Sequence, residues 1–335
     1  MKFKAFLILS ITLLLAACGT GDKNTKTDGN KLHIYTTVFP LYSMTKEIGG
    51  DTVEVESVYP KNVNIHSYEP SQKDILSYAE GDLFVFTNEE LDPLAKKIND
   101  TIGSHTKSLA AFSSEDKLIE NDHDHNHEGE SEEEHAEHEH EDEEAHDHGD
   151  EESHDHSHDG HDHGAHDPHV WLDPNLALEM AENITKTLSE MKPEHKELYE
   201  KNFNRLKDDL VQMDKDLKDA TKNTDGKTVY ISHESIGYLA DRYHFEQVGI
   251  SGLNNEEPSQ KALTEMVTHI NEEKIPYILY EQNVSSRVTD MIGRETETEF
   301  LPFHNLETLT DKDPEDATYQ SMMNKNIESL RSVLK

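Results

Sequence analysis

The sequence predicts an α/β fold, with parallel strand-helix-strand units in both halves of the chain. Three observations carry that prediction. Short β-branched or aromatic runs alternate with stretches of helical period, and strands separated by single helices imply parallel pairing. Between the halves, Tyr199, Phe203, Leu206, Leu210, Met213 and Leu217 recur at steps of four and three, the apolar seam of a long helix that could bridge two lobes. A tract of His, Asp and Glu from Asn121 to His166 interrupts the first half; too polar to repay the entropy of ordering, it is expected to have no fixed fold.

Taken in order, the chain opens with Lys2 and Lys4 before a continuous apolar segment, Ala5 to Ala17. That segment is too short to span a bilayer and has the anatomy of an export signal. It ends in Leu15-Ala16-Ala17-Cys18-Gly19, which resembles the lipobox of bacterial lipoproteins. The resemblance implies cleavage after residue 17, lipidation of Cys18, a flexible tether over residues 18–30 and a site of action on the outer face of the bacterial cell membrane. Cys18 is the only cysteine among 335 residues, which excludes a disulfide framework and a thiolate metal site.

In the first half, Leu32–Val38, Thr52–Tyr59 and Asp82–Thr87 read as strands, with a helix after the first and another from Ser71, a capping residue, to Glu80. His66 lies in the loop leading to Ser71, where α/β domains place ligands. His33 and His105 lack comparable surroundings and read as structural.

The acidic tract carries 20 Asp or Glu, no Lys or Arg, and His123, His125, His127, His135, His138, His140, His146, His148, His154, His156, His158, His161, His163 and His166. Of the net charge of −39, it leaves −19 for everything else. Such acidity disfavours nucleic acid as a partner and favours cations. Imidazoles spaced by one residue chelate Zn, Cu or Ni weakly, so the tract is a candidate accessory metal loop. It ends in Asp167-Pro168-His169-Val170-Trp171-Leu172-Asp173-Pro174, where apolar side chains and two Asp-Pro turns flank His169.

Helix is expected from Asn175 to Met191, then again from Pro193 through the seam. The second half begins near Gly226. Lys227–Ser232, Phe245–Ile250, Tyr277–Tyr280 and Glu299–Phe303 read as strands, and Ser259–Glu273, Ser286–Thr296 and Asp316–Leu334 as helices. His233 and Glu281 stand at strand ends, and His304-Asn305-Leu306-Glu307 is a loop.

His66-Ser67-Tyr68-Glu69-Pro70-Ser71, the His-rich tract, Asp167 through Pro174, Ser232-His233-Glu234-Ser235 with Tyr238-Leu239 and Arg242-Tyr243, and Gly252-Leu253 through Glu257-Pro258-Ser259 occur in this order. Together with the lipobox, they make the chain resemble the metal-specific (cluster A-I) solute-binding lipoproteins of ABC transporters, in the high-affinity zinc-uptake subgroup, across nearly its full length. The resemblance implies two lobes, each a parallel-type sheet with flanking helices, joined by one long backbone helix. The corresponding boundaries are 31–174, 175–225 for the link and 226–335. It also implies Zn²⁺ held by His66, His169 and His233 with Glu307 at the fourth position, and delivery to a permease driven by a separate ATPase subunit, with the binding protein acting as a monomer.

Three imidazoles and one carboxylate suit four-coordinate zinc, while manganese prefers oxygen-rich sites; manganese-binding relatives carry a carboxylate at the position of His233. Glu281 or water remains an alternative fourth ligand, and Glu69, Asp173, Glu234, Glu281 and His304 are candidates for orienting the imidazoles. The sequence lacks a nucleotide-binding loop and a His-Glu-x-x-His helix, so an enzyme is not expected. A surface adhesin or metal buffer, or a manganese-binding relative of the same family, is the competing expectation.

Overall fold

A computed structural model describes residues 31–120, 166–253, 256–281 and 287–335. The signal segment, Cys18 and its tether, and all tract histidines except His166 lie outside the described residues.

Two four-stranded parallel sheets form the frame. The first contains β1 (Leu32–Thr36), β2 (Val53–Ser57), β3 (Leu83–Phe86) and β4 (Lys107–Ala110) in the order β2-β1-β3-β4. The second contains β5 (Thr228–His233), β6 (Glu246–Ser251), β7 (Tyr277–Glu281) and β8 (Glu299–Phe303) in the order β6-β5-β7-β8. The two lobes therefore share one topology, although no repeat shows in their residues. Between the strands run α1 (Phe39–Gly49), α2 (Gln72–Ala79) and α3 (Pro93–Ile102) in the first lobe. The second lobe has α6 (Gly237–Tyr243), α7 (Gln260–Glu273), α8 (Arg287–Glu295) and the closing α9 (Tyr319–Val333).

Period-two alternation divides each strand between two layers. In the first sheet Ile34 and Val85 face the large central core, while Tyr35, Phe84 and Phe86 face outward onto Ala95, Ile98 and Ile102 of α3. In the second sheet Val229, Ile231 and Leu279 face inward, and Tyr230 and Ile278 meet Leu263, Ile270 and Ile292 of the outer helices.

Residues 175–225 contain the two helices expected there, and the second is the long one. Almost all of α4 (Pro174–Met191) falls there, and after a 3-10 turn at Pro193–His195 the 25-residue α5 (Lys196–Ala220) folds back on it. The seam is buried at Tyr199, Leu206, Leu210, Met213 and Leu217, with Phe203 packed at its edge; it contacts α1 and α4 on one side and α9 on the other. The result is a single apolar core that continues from one lobe into the other. Wide separation of the lobes would expose that core at about 25 cal/mol per Å², which restricts them to small displacements. Among the described residues, no helix is long and apolar enough to cross a membrane.

Two details add to the sequence expectation: a helix follows β3, and β5 runs one residue further than its apolar run. Asp92 caps α3, accepting from the Ala95 amide at 2.8 Å, and Pro93 occupies the first turn. His233 lies inside β5 rather than beyond it, paired in register with Ser251.

Candidate metal centre

The carboxyl ends of the strands in both lobes point toward one cleft. His66 comes from the loop after β2, His169 from the turn before α4, His233 from the last position of β5 and Glu307 from the loop after β8. One donor atom from each of these four lies within 4.8 Å of every other. Zinc with bonds of about 2.0–2.2 Å sets neighbouring tetrahedral ligands about 3.3–3.6 Å apart. Two edges are close to that length: Glu307 Oε1 is 3.2 Å from His169 Nε2 and 3.3 Å from His66 Nε2. His66 Nε2 is buried and makes no well-directed hydrogen bond among the described residues, so it can turn to a metal without breaking one. The donor set fits zinc.

Each inner imidazole is oriented from behind. Asp167 Oδ1 accepts from the His169 amide at 2.9 Å and faces its Nδ1 at 2.8 Å, turning Nε2 toward the cleft. Glu281 Oε2 faces His233 Nδ1 at 2.9 Å and its other oxygen accepts from the Ser235 hydroxyl. Glu281 therefore lies behind an imidazole, outside the four converging donors. His233 Nε2, the nitrogen left for a cation, meets the Leu253 carbonyl at 2.7 Å, a contact that a bound cation must replace.

Glu307 is held by backbone. Its amide donates to Asn305 Oδ1 at 3.1 Å, and its carbonyl receives the first amide of α1, from Phe39, at 3.0 Å. Leu306 takes a left-handed φ of 66° and is fully buried, a conformation costly for a side chain of this size. Trp171, beside His169, secures the same loop by donating from Nε1 to the Asn305 carbonyl at 2.7 Å. His304 accepts from the Leu306 amide and pairs with Asp313, shaping the loop rather than joining the four donors.

The other candidates serve elsewhere. Asp173 caps α4 and pairs with Arg242, Glu69 is exposed near Lys97, and the Glu234 amide pairs with Ser251 across the sheet. His33 pairs with Glu56 on the surface. His166 is part of a fixed neck: it forms an antiparallel bridge with Glu120, and the Asp167 amide donates to the Ile119 carbonyl at 3.0 Å.

The electrostatics follow from burial against opposite charge. Burial alone would depress His169, but the Asp167 charge and hydrogen bond, with Glu307 adding, push it up to about 10. His233 is raised too, Glu281 outweighing burial. Burial would raise Glu307, yet the hydrogen bond to His169 and the imidazoles of His66 and His233 close around it hold it well below the usual carboxylate range.

Gly237, the first residue of α6, was invisible as a site element in sequence. A Cβ there would lie 2.6 Å from Asp167 Oδ2 and 3.2 Å from Gln247 Nε2, so only glycine leaves Asp167 room behind His169. Gly237→Ala is expected to weaken zinc binding by about tenfold to a hundredfold, read by competition with a chromophoric chelator, with the circular dichroism spectrum unchanged.

Two α/β lobes with four donors converging between them define a two-lobed solute-binding protein. The family model described as zinc-uptake complex component A, periplasmic (ZnuA), matches residues 34–333, and the chain belongs to that family. It is 34% identical over 333 residues to the high-affinity zinc uptake system protein ZnuA of Bacillus subtilis, covering 98% of this chain and 96% of that one. The zinc-binding lipoprotein AdcA of Streptococcus pneumoniae is 32% identical over 340 residues, but this chain spans only 61% of its length. Among solved structures, Zn(II)-bound AdcA of S. pneumoniae matches 91% of this chain and 58% of that one with a TM-score of 0.69 and 30% identity. The laminin-binding protein Lmb of Streptococcus agalactiae, described as having adhesin and metal-transporting activity, matches 91% of this chain and all of that one, with a TM-score of 0.71 and 27% identity.

Proposed function

We propose that the protein captures extracytoplasmic Zn²⁺ with His66, His169, His233 and Glu307 and delivers it to an ABC-type permease powered by a separate ATPase subunit. The observation that carries this reading is the convergence of three imidazoles and one buried carboxylate, two of them oriented by carboxylates from behind. Lipidated Cys18 would keep the monomer at the outer face of the membrane, with residues 31–174 and 226–335 as the lobes on either side of the linking segment. Zinc is cargo, and no catalytic role is assigned to the carboxylates. A strain lacking the protein and any redundant importer is expected to stop growing in zinc-depleted medium and to recover on zinc addition; undiminished growth would overturn the transport reading. The likeness to Lmb favours a second activity in adhesion, which binding of the purified protein to immobilised laminin tests.

The His-rich tract is assigned an accessory role, adding weaker zinc equivalents. Its two ends meet at the Glu120–His166 bridge, so residues 121–165 can be replaced by a short turn. The shortened protein is expected to keep one tight zinc per chain and to lose the weaker equivalents in calorimetric titration. Unchanged stoichiometry would remove the tract's metal role.

A further inference from the structure

We propose that Asn64 is a positioning residue for His66, as Asp167 and Asn305 are for His169 and Glu307: in each case a side chain two residues upstream fixes the backbone of a zinc ligand before the metal arrives. The proposal rests on the four-donor centre described above and names what assembles it.

Three of the four donor residues share one bond. The His66 amide donates to Asn64 Oδ1 at 2.9 Å, the His169 amide to Asp167 Oδ1 at 2.9 Å and the Glu307 amide to Asn305 Oδ1 at 3.1 Å. The loops that carry them come from different parts of the fold. Their sequences, Asn64-Ile65-His66, Asp167-Pro168-His169 and Asn305-Leu306-Glu307, share only the side-chain acceptor two residues before the ligand. His233 needs no such clasp, because it ends β5 and the sheet pairs it with Ser251. Asn and Asp side chains are short enough to reach an amide two residues on, and closing that ring restricts the torsions that aim the ligand's Cα–Cβ bond. A ligand aimed in advance does not have to be ordered at the expense of binding energy.

The clasp matters most at His66. Asp167 and Asn305 are buried, whereas Asn64 is exposed on the loop after β2. The second lobe ties the base of that loop. Thr308 Oγ1 donates to the Val63 carbonyl at 3.2 Å and the Asn62 amide to the Leu309 carbonyl at 2.9 Å, while Asn62 and Asp311 exchange two further bonds at 2.9 and 3.1 Å. These ties hold residues 62 and 63. Asn64 carries the order on to the ligand, its Oδ1 receiving the His66 amide and its carbonyl the Ser67 amide at 3.3 Å.

Asn64→Ala in the full-length protein is expected to weaken zinc binding about tenfold in competition with a chromophoric chelator. Because Asn64 is exposed, the melting temperature of the metal-free variant should stay within about 2 °C of the parent. Asn64→Asp keeps the acceptor and, at high salt to screen its added charge, should bind zinc within about threefold of the parent. A double-mutant cycle separates aiming His66 from a general effect on the fold: in a His66→Ala background, Asn64→Ala should change affinity by less than about twofold. Parental affinity in Asn64→Ala would overturn the proposal, as would an undiminished effect in the His66→Ala background or an Asn64→Asp variant as weak as Asn64→Ala. Parental affinity in His66→Ala itself would remove His66 as a ligand and this role with it, whereas a loss there beside parental affinity in Asn64→Ala removes the role alone.

Discussion

His169→Ala is expected to abolish tight zinc binding. Structural zinc sites supply about 10–16 kcal/mol through four ligands, so each ligand is worth about 3 kcal/mol and its loss costs at least a hundredfold in affinity. The deficit here should exceed that figure, because Asp167 and Glu307 both lose the group they enclose and two buried carboxylates are left without their imidazole. The same loss also threatens folding, so thermal melting of the metal-free variant must accompany the competition titration. His169→Gln, which retains a hydrogen-bonding side chain, serves as the second variant. A folded His169 variant that still binds zinc as tightly as the parent would remove the four-donor centre from consideration.

Zinc binding should release protons at neutral pH and weaken steeply in acid. In the metal-free protein both nitrogens of His169 face carboxylate oxygens, and those of His233 face Glu281 and the Leu253 carbonyl. Both rings are therefore biased toward the charged form, His169 up to about pH 10. Zinc needs the neutral imidazole, so His169 gives up one proton per zinc throughout the range below that value, and His233 contributes a second in its lower part. Affinity then rises with pH by about 1.4 kcal/mol per unit for each proton released. Stability of the metal-free protein runs the opposite way: the contribution of His169 is complete below its unfolded value of ~6.5 and is lost as pH rises through about 10. Calorimetry at pH 7 in buffers of different ionisation enthalpy should give between one and two protons per zinc. His169→Gln should release one fewer, and a parent protein releasing none would contradict the arrangement described here.

The alternation of apolar runs with helical periods revealed the two sheets because their central strands, β1, β3, β5 and β7, are buried apolar runs. β4, Lys107-Ser108-Leu109-Ala110, escaped because it is a short, half-polar edge strand. Asp92-Pro93, followed by Leu94, Ile98 and Ile102 at steps of four, is a legible start signal for α3. Within the site, His66, His169, His233 and Glu307 were legible as a set through the motifs that carry the family resemblance, because neither their spacing nor their loop positions bring them together in the sequence. Asp167 did not stand out, since an Asp before Pro reads first as a turn. Leu253 could not be recognised at all: what it offers His233 is a backbone carbonyl, which leaves no trace in side-chain chemistry. Gly237 is meaningful only once Asp167 is known to lie against it.

The neck at Glu120 and His166 also bears on how this protein can change over generations. Because the two strands of the neck are already joined by their own backbone, the chain between them can lengthen or shorten without moving either lobe. Doubling such a loop costs only about 0.6 kcal/mol in closure entropy. The number of histidines carried there is therefore nearly free to drift and can follow the scarcity of zinc in a habitat, while His169, three residues past the neck, stays under the constraints of a packed interior.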